Sequence, residues 1–215
     1  MEIYETEEEQ VAALKDWWKA NGTSVITGVI AAVVIVMGWN FWKSYQKDTM
    51  NQASAVYEQL LLAQKSGKVE SVEKLATQLN KEHGSTAYST YALLFQAKAK
   101  VEQQDLNAAK SLLQQAIATS GDAELKHVAR TRLIRVLLAL EEYEQGLQTI
   151  ADVDQSSLGG FEAIYAELKG DLYVAMARIG EARTAYESAL KAGQSSPLLQ
   201  FKLDDLSIGD DVNNG

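Results

Sequence analysis

Residues 166–190 read AELKGDLYVAMARIGEARTAYESAL, and the spacing inside this stretch decides the fold. A glycine and an aromatic, Gly170 and Tyr173, sit on a first helical segment. A second segment supplies a small residue, an aromatic and another small residue at Ala182, Tyr186 and Ala189. Small side chains at helical spacing let paired helices approach closely, so the stretch reads as a helical hairpin. Three earlier segments align with it without gaps. Glu141-Glu-Tyr143-Glu-Gln-Gly146, Gln104-Asp-Leu106-Asn-Ala-Ala109 and, more faintly, Gly67-Lys-Val69-Glu-Ser-Val72 repeat the turn and the start of the second helix. The positions equivalent to Ala182 are then Gly146, Ala109 and Val72, at separations of 36, 37 and 37 residues. Each hairpin carries an apolar stripe that it cannot bury alone, so the regular period means stacked neighbours with contacts that stay local along the chain.

The unit 166–190 resembles a tetratricopeptide repeat, with the consensus glycine at Gly170 and the consensus small and aromatic positions at Ala182, Tyr186 and Ala189. It departs from that pattern at Ala166, where tryptophan is usual, at Lys169, where leucine is usual, and at a late terminal proline, Pro197. The period also exceeds the usual one of about 34 residues, which points to longer links between hairpins. The resemblance implies an all-α hairpin solenoid of about four units, in keeping with a single proline and no alternating strand pattern. It further implies a concave groove lined by the first helix of each hairpin, with the residues three before, one after and four after the consensus glycine pointing inward. Those are Tyr57, Leu61 and Gln64 in the first unit, Leu94, Lys98 and Val101 in the second, Thr131, Arg135 and Leu138 in the third, and Glu167, Asp171 and Val174 in the fourth. Tyr91 stands three residues from Leu94 on one helical face, and neither holds a small-residue packing position, so both are assigned to recognition. From Ser195 onward, Leu198, Leu199, Phe201, Leu203 and Leu206 form an amphipathic segment expected to cover the last hairpin.

Thr23 to Trp42, TSVITGVIAAVVIVMGWNFW, lies within an uncharged run of 23 residues from Ala20 to Trp42. A helix of about 20 residues spans the hydrocarbon of a bilayer. Trp17 and Trp18 precede the run, and Trp39, Phe41 and Trp42 close it, where headgroups would lie. A cleaved signal peptide would begin with basic residues and end in a small-x-small site; this start is acidic and the run ends in Trp-Asn-Phe-Trp-Lys, so an uncleaved anchor is expected. Gly28 and Ala32 form a small-xxx-small pair. Lys15 and Lys19 before the run balance Lys43 and Lys47 after it, which leaves orientation open. No proline or glycine intervenes from Trp39 to Ser66, which leaves the membrane helix free to run on into the next domain. Before the run, Thr6-x-x-Glu9 offers a capping box ahead of Val11, Leu14 and Trp18, so a short surface helix and an irregular acidic tail both remain open. The expected division is an acidic tail over 1–22, a transmembrane helix over 23–42, a repeat domain over 43–206 and a disordered acidic tail over 207–215.

Lysine and arginine total 20 against 29 aspartates and glutamates, a net charge of −9 with no basic block, which leaves out the electrostatic footprint of a nucleic-acid binder. The absence of cysteine excludes disulfides and thiol catalysis. His83 and His127 are isolated and carry no motif, and are expected to be solvent-exposed or partly packed. The pairs Glu141-Glu142 and Asp204-Asp205 diverge around a helix, and Gly159-Gly160 follows no strand. No enzyme, cofactor or metal site is expected.

The acidic start, the single early anchor bracketed by tryptophans and the four tetratricopeptide-like units together resemble the bacterial ancillary SecYEG translocon subunits of the YfgM type, over essentially the whole chain. The resemblance implies an inner-membrane protein with its N-terminus in the cytoplasm and its repeat domain in the periplasm. It implies the SecYEG channel and a membrane-anchored periplasmic chaperone of the prolyl-isomerase-like type as partners, with translocating polypeptides passed toward periplasmic chaperones. A membrane-anchored scaffold that sequesters a signalling or cell-division protein is the alternative that the residues leave open.

Overall fold

In the computed structural model, which describes residues 7–193 and 196–213, the first element is a single helix, α1, Glu7–Lys65. It takes in most of the acidic start, the whole apolar run and the segment beyond it. Thr6 of the expected capping box lies outside the described residues. The chain divides into two compact units, Met1–Asn51 and Gln52–Gly215. The second begins nine residues after Lys43, where the sequence reading starts the repeat domain.

In the first unit, the large apolar side chains from Ile26 to Met37 are all exposed, as lipid-facing residues must be. This part of α1 is long and apolar enough to cross a membrane. The Thr27 hydroxyl donates to the Thr23 carbonyl at 2.8 Å, which satisfies a polar group where water would be absent. Trp18 lies over Gly22, its ring atoms 3.3 Å from where a Cβ would stand.

In the second unit, the remainder of α1 pairs with α2 (Val69–Glu82), α3 (Ala87–Glu102) with α4 (Leu106–Thr119), α5 (Ala123–Ala139) with α6 (Tyr143–Ala151), and α7 (Glu162–Ala175) with α8 (Ile179–Lys191). Two short 3-10 turns, Gln155–Ser157 and Gly159–Phe161, link α6 to α7. The final helix, α9, is Pro197–Asn213. Its backbone stays helical beyond Leu206, into the stretch read from sequence as a disordered tail; Asn214 and Gly215 lie outside the described residues. No strand occurs among the described residues.

One turn geometry closes all four hairpins. Gly67, Gln104, Glu141 and Ala177 are left-handed, with φ of 66°, 63°, 61° and 57°. In each case the N–H of the left-handed residue and that of its successor bond back to the preceding helix, as in Gly67 to Gln64 at 3.1 Å and Lys68 to Ala63 at 3.0 Å. This is the Schellman closure, which satisfies carbonyls the helix would otherwise leave orphaned. Only the first of these turns carries glycine; at the others the Cβ opposes the left-handed conformation by about 1–2 kcal/mol. Ala177→Gly is therefore expected to stabilise the domain by about 0.5–1 kcal/mol once the entropy of a freer unfolded chain is subtracted. The check is a rise in the urea midpoint at unchanged slope. Asp105 and Asp122 cap the second-hairpin and third-hairpin helices, accepting from Ala108 N at 3.1 Å and Leu125 N at 2.9 Å.

Within each hairpin the seam is filled by paired volumes. The consensus-glycine position is Leu60, Ala97, Ile134 and Gly170, and the facing aromatic position is Ala76, Leu113, Ile150 and Tyr186. Leu60 shares a core cluster with Ala76, Ala97 with Leu113, and Gly170 faces the Tyr186 ring directly. In these three hairpins a large residue thus meets a small one, whereas in the third Ile134 and Ile150 share one cluster; matched volumes of this kind fill a close-packed interior without voids. Hairpins are tied to one another by polar bridges as well: Lys110 of α4 pairs with Glu142 at the start of α6, and Asn80 of α2 donates to Gln96 of α3 at 3.1 Å.

Candidate partner-binding groove

The first helices of the four hairpins bring part of the expected groove together. Tyr57 on α1 stands 5.3 Å from Tyr88, 5.8 Å from Tyr91 and 6.2 Å from Phe95 on α3, ring centroid to centroid. Tilted rings at these spacings attract one another through their quadrupoles. Burial among its neighbours pushes the Tyr57 hydroxyl above its ordinary pKa, with Tyr91 and Tyr88 adding to the shift. Tyr91 keeps 38% of its surface exposed, so the cluster has an open edge. Leu61 beside it is half-buried.

Two of the expected recognition residues belong to the core instead. Leu94 is 4% exposed and packs with Ala109, Leu113 and Leu133. Thr131 is 5% exposed, its hydroxyl donating to the Val128 carbonyl at 3.0 Å. Both are corrected from groove residues to packing residues, because the position three before the consensus glycine is covered when a hairpin has neighbours on both sides. Leu138 is half-buried against Ile134 and Leu168. Lys98 and Arg135, one residue after the glycine position, are exposed as expected. They meet across a recess of about 330 Å³ between α3 and α5, walled by Val101, Leu106, Leu113 and Val136, with Arg132 alongside. A larger recess of about 720 Å³ opens on the other side of α3, against Val72, Phe95 and Leu112.

Glu167 and Asp171 are already engaged. Lys202 of α9 donates to Glu167 Oε1 at 2.8 Å and to Asp171 Oδ1 at 2.7 Å, and the Tyr186 hydroxyl donates to the same Asp171 oxygen at 2.7 Å. Burial opposes the Lys202 ammonium, but the hydrogen bonds and charges of Asp171 and Glu167 outweigh it and hold the pKa above its ordinary value. Burial and the adjacent carboxylates push the Tyr186 hydroxyl well up. Leu199 and Leu206, on the same face of α9 as Lys202, pack on Ala182, Tyr186 and Ala189. The terminal helix therefore caps the last hairpin and fills the acidic end of its groove.

Sequence reasoning missed Arg132 and Lys202. Arg132 lies three residues before Arg135 and so shares its face. Lys202 sits three after Leu199 and four before Leu206, a spacing that marks the buried face of α9. Both histidines are more deeply buried than expected. His127 stacks on Phe161 at 5.0 Å and has its Nδ1 2.9 Å from the Tyr165 hydroxyl, whose pKa burial pushes up to about 12 against a lowering pull from Arg130. His83 is buried with Nδ1 unpartnered among the described residues. No cluster of metal-ligating side chains occurs among the described residues.

The family model of a tetratricopeptide repeat-like domain matches residues 15–208. A protein of Escherichia coli (strain K12) named ancillary SecYEG translocon subunit is 33% identical over 214 residues, which is 97% of this chain and 100% of that protein. Its namesake in Haemophilus influenzae is 34% identical, covering 93% of this chain and 97% of its own. A third bearing the name, in Neisseria gonorrhoeae, is 26% identical with the same coverage.

Proposed function

Because the chain belongs to the family of ancillary SecYEG translocon subunits and carries its tetratricopeptide repeat-like domain, we propose that it is a non-enzymatic, single-pass inner-membrane adaptor of the translocon. The observation that carries this reading is the likeness along 97% of the chain, anchor and repeats together, to a protein named for that complex. The exposed apolar run of α1 supplies the membrane segment, and the repeat domain supplies a partner surface without a catalytic constellation among its described residues. In this reading the N-terminus is cytoplasmic, the repeat domain periplasmic, and the groove engages a membrane-anchored prolyl-isomerase-like chaperone so that newly translocated chains pass to periplasmic chaperones.

Mild crosslinking in intact membranes followed by purification of this chain is expected to bring down SecY and the anchored chaperone in stoichiometric amounts. Recovery of neither would sink the reading. Glu187→Cys, on the exposed side of α8, should react with a membrane-impermeant thiol reagent in spheroplasts; labelling only after lysis would reverse the orientation and remove the handover to periplasmic chaperones.

A further inference from the structure

We propose that the recess between α3 and α5 is a docking pocket for a partner segment that presents one aliphatic or phenyl side chain flanked by carboxylates; this deepens the adaptor reading above and rests on it. The recess is small, about 330 Å³, at the low end of the roughly 300–1,000 Å³ of ligand sites. It suits a side-chain anchor rather than a cofactor. Its walls are Val101, Leu106, Leu113 and Val136, and its rim is cationic: Lys98, Arg132 and Arg135. Neither arginine makes a hydrogen bond or ion pair among the described residues. Among the described residues Lys98 pairs with Glu102, at 3.6 Å with both side chains well exposed, a pairing that contributes little and is readily exchanged.

Charge complementarity selects the occupant. The chain carries a net charge of −9, yet α5 bears Lys126, Arg130, Arg132 and Arg135 against a single Glu124. At the far end of the groove the two carboxylates of Glu167 and Asp171 share the one cation of Lys202, so the positive charge of this face is gathered on Lys98 and α5. A guanidinium beside an apolar wall binds a carboxylate through paired N–H donors, in a medium that screens the attraction less than bulk water. An acidic segment with an apolar anchor satisfies both features at once. A basic or purely apolar segment satisfies one and leaves the arginines unpaired or repelled.

The test uses the full chain in nanodiscs and fluorescent peptides carrying a single phenylalanine among glutamates, read by anisotropy. Arg132→Glu with Arg135→Glu should weaken binding by at least about tenfold with helicity unchanged. Replacing the phenylalanine by alanine should weaken it comparably, and raising salt from about 0.05 to about 0.3 M should weaken it further, because exposed charges are screened. The milder Arg135→Gln should show a smaller loss in the same direction, and it serves should the double reversal fail to fold. Equal binding of a lysine-for-glutamate peptide, or indifference to the arginine variants, would overturn the proposal. So would self-association of the full chain that both Phe201→Asp and Arg135→Glu abolish, since α9 exposes Leu198 and Phe201 beside Asp204 and Asp205 and a second copy would then be the occupant. Crosslinking to SecY that persists in the double reversal, together with lost peptide binding, separates this pocket from the translocon association itself.

Discussion

Gly170→Ala should lower the stability of the repeat domain by about 2–3 kcal/mol, through overpacking of a filled seam. An added Cβ would stand 2.2 Å from Cε1 and 2.3 Å from Cδ1 of Tyr186, far inside any non-bonded carbon–carbon contact. The ring cannot swing aside. It is 2% exposed, and its hydroxyl is held by Asp171 at 2.7 Å. In an unhindered helix the same substitution stabilises by about 1 kcal/mol, so the sign alone separates steric exclusion from helix propensity. Gly146→Ala supplies a contrast: its Cβ would meet Leu172 Cδ2 at 2.8 Å, the far end of a flexible side chain, and a loss under about 1 kcal/mol is expected. Combining Gly170→Ala with Tyr186→Leu recreates the Ala97 and Leu113 pairing of the second hairpin and should recover part of the loss. Urea unfolding of Gly146→Ala, Gly170→Ala, Tyr186→Leu and the double variant measures it, and a double variant less stable than Gly170→Ala alone would show that the seam is not a matter of paired volumes.

The same pairing explains why the fold was legible. The two seam positions recur at a period of 36 or 37, with large set against small in three of the four hairpins, and the four left-handed turns at 67, 104, 141 and 177 fall on that period. A local repeat carries its own geometry, so the hairpins and their stacking could be read from residue types alone. The groove could be read only in part. Lys98 and Arg135 occupy the position one after the consensus glycine and open onto it, whereas Leu94 and Thr131, three before, are sealed between successive first helices. At the same register Tyr57 and Glu167, in the terminal hairpins, remain partly open. Whether that position is covered depends on what lies on either side of its hairpin, a tertiary quantity that no single repeat encodes. Lys202 was hidden for a related reason: it meets Glu167 and Asp171 across 35 and 31 residues, outside the repeat period.

Lys202→Glu should cost about 2–3 kcal/mol and loosen α9 from the last hairpin. Surface ion pairs contribute about 0–1 kcal/mol, but this one is not at the surface: the lysine side chain is 26% exposed, and Glu167 and Asp171 are 15% and 20% exposed. Removing the cation leaves two carboxylates one helical turn apart and largely desolvated, a penalty larger than the pair's own worth. The reversal adds a third negative charge. Lys202→Met keeps the apolar stem against Tyr186 while deleting the charge, and should fall between the two, which apportions packing and electrostatics. The pKa of Lys202 is raised in the fold, so its contribution is fully present below the ordinary lysine value of 10.5 and is lost as pH climbs through the folded value. Both variants should therefore lose part of the alkaline destabilisation that the unmodified chain shows above that pH. Unfolding midpoints followed from neutral to strongly alkaline pH check this. An unchanged profile in Lys202→Met would mean that α9 is held by Leu199 and Leu206 alone.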